Sequence, residues 1–183
     1  MAKGAEGKVQ VALLRGINVG KAKRVAMADL RKLLESLGYS SVRTLLNSGN
    51  AVFVSADGAA KAASRIQAAI QEKLGVTCRV MVVTGADLAV IARENSLQKV
   101  ANNPSRLMVA FPGSRADLGK LEPLLAQPWG AERLAMGSAA AYLWVPDGVI
   151  LSSLSKAVDR AMGDSVTTRN WATILKLSQM TSA

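Results

Sequence analysis

The chain has 183 residues, half of them hydrophobic, enough to bury roughly 70% of its unfolded surface, so a core forms without disulfides or metal. It contains no histidine and one cysteine, which removes imidazole catalysis, Ser/His and Cys/His nucleophiles, the commonest metal ligand and any disulfide within one chain. Lys and Arg number 23 against 13 Asp and Glu, a net charge of +10 that favours phosphate-bearing partners and non-specific association with nucleic acid.

Taken in chain order, residues 8–14 read as a short buried strand. Met27, Leu30, Leu33, Leu34 and Leu37 then recur at helical spacing until Gly38. Residues 41–46 and 50–55 are two strand-like runs joined by Asn47-Ser48-Gly49, turn chemistry that closes a hairpin. Residues 59–74 form a second amphipathic helix through Ala62, Ile66, Ala69, Ile70 and Leu74, ended by Gly75. Residues 77–83 give a fourth strand, in which Cys78 is expected as a buried thiol.

The order βαββαβ is that of the ferredoxin-like split motif, with two right-handed crossovers placing both helices on one face of an antiparallel sheet ordered 4-1-3-2. After a connecting helix over 87–95 and a polar break at Asn102-Asn103-Pro104, the pattern restarts. Strand 107–111, helix 115–126, strands 132–136 and 141–145 around Gly137-Ser138, and helix 149–162 follow. The expected fold class is therefore α+β, two ferredoxin-like subdomains, 1–95 and 96–183, each with helices packed on one face of an antiparallel sheet. The last segment is expected to break the symmetry, with Thr167 or Thr168 capping a helix through Ile174, Leu175 and Leu177 in place of a final strand.

Two turns in the first half should meet in space. Arg15-Gly16-Ile17-Asn18-Val19-Gly20-Lys21 follows the first strand, Asn47-Ser48-Gly49-Asn50 joins the next two, and strands 1 and 3 are neighbours in the expected sheet. Glycines let backbone N–H groups approach a ligand, and Arg15, Lys21, Lys23 and Arg24 supply positive charge around them. The loop is neither a Walker motif nor a G-x-G-x-x-G fingerprint, because Gly16 and Gly20 are three residues apart and no Gly-Lys-Ser/Thr ending follows. It is read either as an anion cradle or as a structural turn. Asn47, Ser48 and Asn50 likewise present polar groups to a ligand or serve the turn itself.

Arg169 in Thr168-Arg169-Asn170-Trp171 sits where a helix start prefers acids, and so requires an anion. That anion is an internal carboxylate with Trp171 as core, or a ligand phosphate with Asn170 and Trp171 beside it. Aromatic residues are only 4% of the chain, too few for an evident stacking surface, so binding to nucleic acid would be led by the backbone. The carboxylates show no paired spacing for acid and base roles, and no catalytic residue, cofactor or metal is expected. No run reaches the ~20 apolar residues that span a bilayer. The N-terminal residues lead directly into the short first strand, and the expectation is a cytoplasmic protein with no membrane partner.

Three strings carry a family resemblance: Val11-Ala-Leu-Leu-Arg-Gly-Ile-Asn-Val-Gly20, Leu45-Leu-Asn-Ser-Gly-Asn-Ala-Val-Phe53 and Thr167-Thr-Arg-Asn-Trp-Ala-Thr-Ile-Leu-Lys-Leu177. In this order and at these separations the chain resembles, over nearly its whole length, the bacterial family catalogued as domain of unknown function 1697. The resemblance implies a pair of ferredoxin-like subdomains and no established biochemical activity. The chain departs from the family pattern with Lys21 for a common glycine, Leu45 for tyrosine, Ser96-Leu97 for Pro-Phe and Ala172 for asparagine.

The leading functional expectation is a phosphate-bearing ligand or nucleic-acid backbone held at the edge formed by Arg15–Arg24 and Asn47–Asn50. Two alternatives stand beside it. One is an enzyme acting on a small phosphorylated or nucleotide-like substrate in a cleft between the halves, with Arg169 as a clamp. The other is a protein–protein interaction module using an exposed sheet edge.

Overall fold

A computed structural model describes residues 7–20 and 23–182, which fall into two compact units. One is drawn from Met1–Ala86 together with Gln179–Ala183, the other from Asp87–Ser178. In the first, strand β1 (Lys8–Arg15) is followed by helix α1 (Met27–Ser36), strands β2 (Ser40–Leu45) and β3 (Asn50–Ser55), helix α2 (Ala59–Leu74) and strand β4 (Arg79–Thr84). The sheet runs β2-β3-β1-β4 with every neighbouring pair antiparallel, the order expected of the split motif.

Periodicity explains which face of each element is covered. Ala12, Leu14, Ala51 and Phe53 point from the sheet toward Leu30 and Leu34 of α1 and Ile66 and Ile70 of α2, all essentially solvent-free, and Cys78 joins the same core. Each of the large aliphatic side chains contributes about 1.5–3 kcal/mol relative to exposure. Helix α1 stops because Gly38 turns the chain at φ +84°. Helix α2 stops at Gly75, left-handed at φ 64°, whose N–H donates to the Gln71 carbonyl.

The second unit contains most of helix α3 (Gly85–Glu94), strand β5 (Leu107–Pro112), and a 3-10 turn over Arg115–Leu121 that continues into the short helix α4 (Glu122–Leu125). Strands β6 (Arg133–Met136) and β7 (Ala141–Trp144), helix α5 (Ser153–Met162), strand β8 (Val166–Asn170) and most of helix α6 (Trp171–Ser182) complete it. Its antiparallel sheet, β6-β7-β5-β8, repeats the order of the first. The architecture is α+β, two ferredoxin-like subdomains.

Four features depart from the sequence reading. Val166–Asn170 is a strand after all, paired with β5 from Met108↔Asn170 to Pro112↔Val166, so the second unit is as complete as the first. The helix after it is capped not by Thr167 or Thr168 but by Asn170, whose Oδ1 accepts from the Thr173 N–H at 2.9 Å and the Thr173 hydroxyl at 2.8 Å. The stretch expected as one helix over 115–126 is mostly 3-10, with Gly119 inside it. Helix α5 begins only at Ser153, because the Ser152 hydroxyl accepts from the Ser155 N–H at 2.8 Å.

Most of helix α3 groups with the second unit for a physical reason. The Glu94 carboxylate accepts from the Ser138 N–H at 2.8 Å and the Ser138 hydroxyl at 3.0 Å, and these bonds hold its pKa below the ordinary value. Tyr142 donates its hydroxyl to the Ile91 carbonyl at 2.7 Å. The sequence reading divides the chain at 95/96; the units part at 86/87.

At the junction of β3 and α2, Asp57 accepts from the Tyr39 hydroxyl at 3.2 Å, pairs with Lys61 at 2.9 Å and pairs with Arg65. Lys61 first, then Arg65, draw its carboxyl pKa from 3.8 down to about 2. A depressed carboxylate stabilises above its unfolded pKa and loses that contribution as the pH falls through the folded one. Urea denaturation between pH 5 and pH 2 is therefore expected to show an acid limb between about 3.8 and 2 that is shallower in Asp57→Asn.

Candidate functional site

The antiparallel ladder sets Leu13 opposite Asn50, so the end of β1 and the turn from β2 into β3 share one end of the first sheet. The Leu14 N–H donates to the Gly49 carbonyl at 2.9 Å. Beyond β1 the chain enters a run of left-handed residues, Gly16 at φ 72°, Asn18 at 55° and Gly20 at 64°, and the facing turn has Leu46 at 58° and Gly49 at 86°. Ile17, 3% exposed, anchors the loop in the core. The expected meeting of Arg15–Gly20 with Asn47–Asn50 is observed, and we call this end of the unit the crown. Lys21 lies outside the described residues.

The crown is held by its asparagines. Asn18 donates Nδ2 to the Val25 carbonyl and to the Asn47 carbonyl, both at 2.8 Å, and its Oδ1 accepts from the Val25 N–H at 2.9 Å. Its own N–H donates to the Lys23 carbonyl at 3.0 Å. Asn50, fully buried, donates Nδ2 to the Leu45 carbonyl at 2.8 Å and to the Ser48 hydroxyl at 3.0 Å. These amides, expected to face a ligand, bind the two loops to each other and the hairpin to itself. Gly49 is required at closest approach: a Cβ there would sit 2.8 Å from Ile17 Cδ1 and 2.9 Å from Leu14 Cβ.

Positive charge surrounds this frame. Half-buried Arg15 stands directly opposite exposed Arg79 in the β1–β4 register. Like charges facing each other across a ladder repel. Arg79 is not among the residues expected at the site, although its place in a fourth strand beside strand 1 was its available signal. Exposed Lys23 and Arg24 complete the group. Lys23 lies close enough to Cys78 for its charge to oppose the upward push that burial gives the thiol pKa. Among the described residues no carboxylate pairs with Lys23, Arg24 or Arg79. Alternating left-handed residues with local cations are the elements from which backbone anion nests are made.

The remaining expected residues belong to the second unit. Arg169, 8% exposed, donates Nη1 to the Thr167 hydroxyl at 2.9 Å and to the Thr168 carbonyl at 2.8 Å, and burial lowers its pKa to about 10, leaving it cationic at neutral pH. Asn170 caps α6, and Trp171 is 7% exposed, in the core. Among the described residues no three His, Cys, Asp or Glu side chains gather as metal ligands, and no helix is long and apolar enough to cross a membrane.

Two sheets of one order, each with its helices, define a protein built of a duplicated ferredoxin-like unit. A family model described as protein of unknown function (DUF1697) matches residues 8–142, and the chain belongs to that family. Its fold is similar to that of the conserved bacterial protein SP0830 from Streptococcus pneumoniae, at 23% identity and a TM-score of 0.77 over 96% of this chain and 99% of the other. No curated protein matches the chain.

Gly49→Ala combines left-handed strain with overpacking and is expected to cost about 2–4 kcal/mol, read by urea denaturation. Gly16→Ala, equally left-handed but with open space around its Cβ position, is expected to cost only about 1 kcal/mol.

Proposed function

We propose that the crown of the first unit binds a phosphate-bearing ligand or nucleic-acid backbone. The observation that carries this reading is the gathering of Arg15, Arg79, Lys23 and Arg24 around two left-handed loops. An anion between two guanidinium groups converts their repulsion into two charge-assisted attractions. In this reading Arg15, Arg79, Lys23 and Arg24 supply charge. Gly16 and Gly20 allow close approach of the backbone, while Asn18, Asn47, Ser48, Gly49 and Asn50 fix the loops that present it. Arg169, Asn170 and Trp171 serve the second unit's core and helix cap.

Calorimetric titration with inorganic pyrophosphate at low ionic strength tests the reading. The double variant Arg15→Ala/Arg79→Ala is expected to weaken binding at least ~10-fold, about 1.4 kcal/mol. Equal affinity in wild type and variant, or no pyrophosphate binding to wild type, would overturn it.

A further inference from the structure

The charge of the chain is carried by one of its units. Residues 1–86 and 179–183 contain 13 of the 23 Lys and Arg but 5 of the 13 Asp and Glu, whereas Asp87–Ser178 contains 10 and 8. The first unit accounts for +8 of the net +10. Such an imbalance between two units of the same fold is not required by folding, and it concentrates the field where the crown stands.

The cations of this unit also extend beyond what one phosphate can reach. Arg15 and Arg79 share the face of the sheet opposite the helices, since Leu14 and Val80 are the residues that pack into the helix-side core. On the helix side, exposed Lys32 and Lys73 line a groove of about 300 Å³ between α1 and α2, with Asp29 the one carboxylate among its lining residues. Lys73 donates to the Ser36 hydroxyl there at 3.0 Å. Helix α2 ends one residue after Lys73 and β4 begins at Arg79, so Lys73 lies at the end of the sheet that carries the crown. Positive groups thus occur on both sides of one sheet end, a distribution that suits a chain of phosphates.

The aromatic residues decide which kind of chain. Tyr39, Phe53, Phe111, Tyr142, Trp144 and Trp171 are buried and Trp129 is half-buried, so none of the seven aromatic side chains offers an exposed ring for a splayed base. Single-strand binding draws about 1–3 kcal/mol per base from such stacking, and duplex backbone contact draws nothing from it.

Resting on the crown reading, we infer that the partner is duplex nucleic acid, held through its sugar-phosphate backbone without regard to sequence by the crown and the Lys32/Lys73 groove. Fluorescence anisotropy of the full chain with a labelled mixed-sequence 24-base-pair DNA duplex, across a salt series, tests this. Neutralising contact by Arg15, Arg79, Lys23, Arg24, Lys32 and Lys73 gives a log–log salt slope of about −5. Lys32→Ala/Lys73→Ala is expected to flatten that slope by about 2 and to weaken duplex binding several-fold, with pyrophosphate affinity and thermal midpoint unchanged. The duplex is also expected to bind more tightly than an unstructured pyrimidine strand of equal length. Duplex binding unchanged in Lys32→Ala/Lys73→Ala, a slope near −1, or tighter binding of the strand would overturn the inference while leaving a pyrophosphate site at the crown intact. Loss of pyrophosphate binding in wild type would remove the crown reading itself.

Discussion

The side chain of Asn18 is the constraint on which the crown depends. One carboxamide closes its own loop onto Val25 and reaches across to the Asn47 carbonyl, so a segment after β1 and a turn between β2 and β3 become one structure. The arrangement suits asparagine in particular, because a left-handed residue at φ 55° with a short amide satisfies its neighbours' backbone groups where a longer or branched side chain does not. Beneath it, Gly49 lets the hairpin close over Ile17 and Leu14 with no room for a Cβ. This frame adjoins the strand end at which Arg15 faces Arg79 across the ladder.

Much of this was legible in the sequence. Helical spacing of Leu30, Leu33 and Leu34, and of Ala62, Ile66 and Ile70, fixed both crossover helices of the first unit, and the order of elements fixed the sheet. The proximity of the two loops followed from that topology alone. What their side chains do there did not follow, since asparagine in a tight turn serves a ligand and the backbone equally well until coordinates show what its amide touches. Arg79 was missed because its importance lies in register, a property of two strands together.

The second unit was less legible because its signals compete. Val166-Thr167-Thr168 is β-branched and pairs as a strand, yet the two threonines are also good helix caps, and Asn170 was the residue that took that role. The division between the units was obscured in the same way. Asn102-Asn103-Pro104 is a strong local break, but Glu94 and Ile91 are tied to Ser138 and Tyr142 by bonds between distant residues, which no local pattern reveals.

Arg43 donates to the Met180 carbonyl, and the last residues of α6 group with the N-terminal unit although the helix starts in the other. The first unit therefore cannot be finished in the order in which a ribosome makes it. Its sheet and both crossover helices are available early, but its final strap is delivered only after the whole second unit has been translated. Contacts of such long sequence separation carry a high closure entropy and form late. The final helix thus makes completion of the earlier-made half contingent on synthesis of the later one.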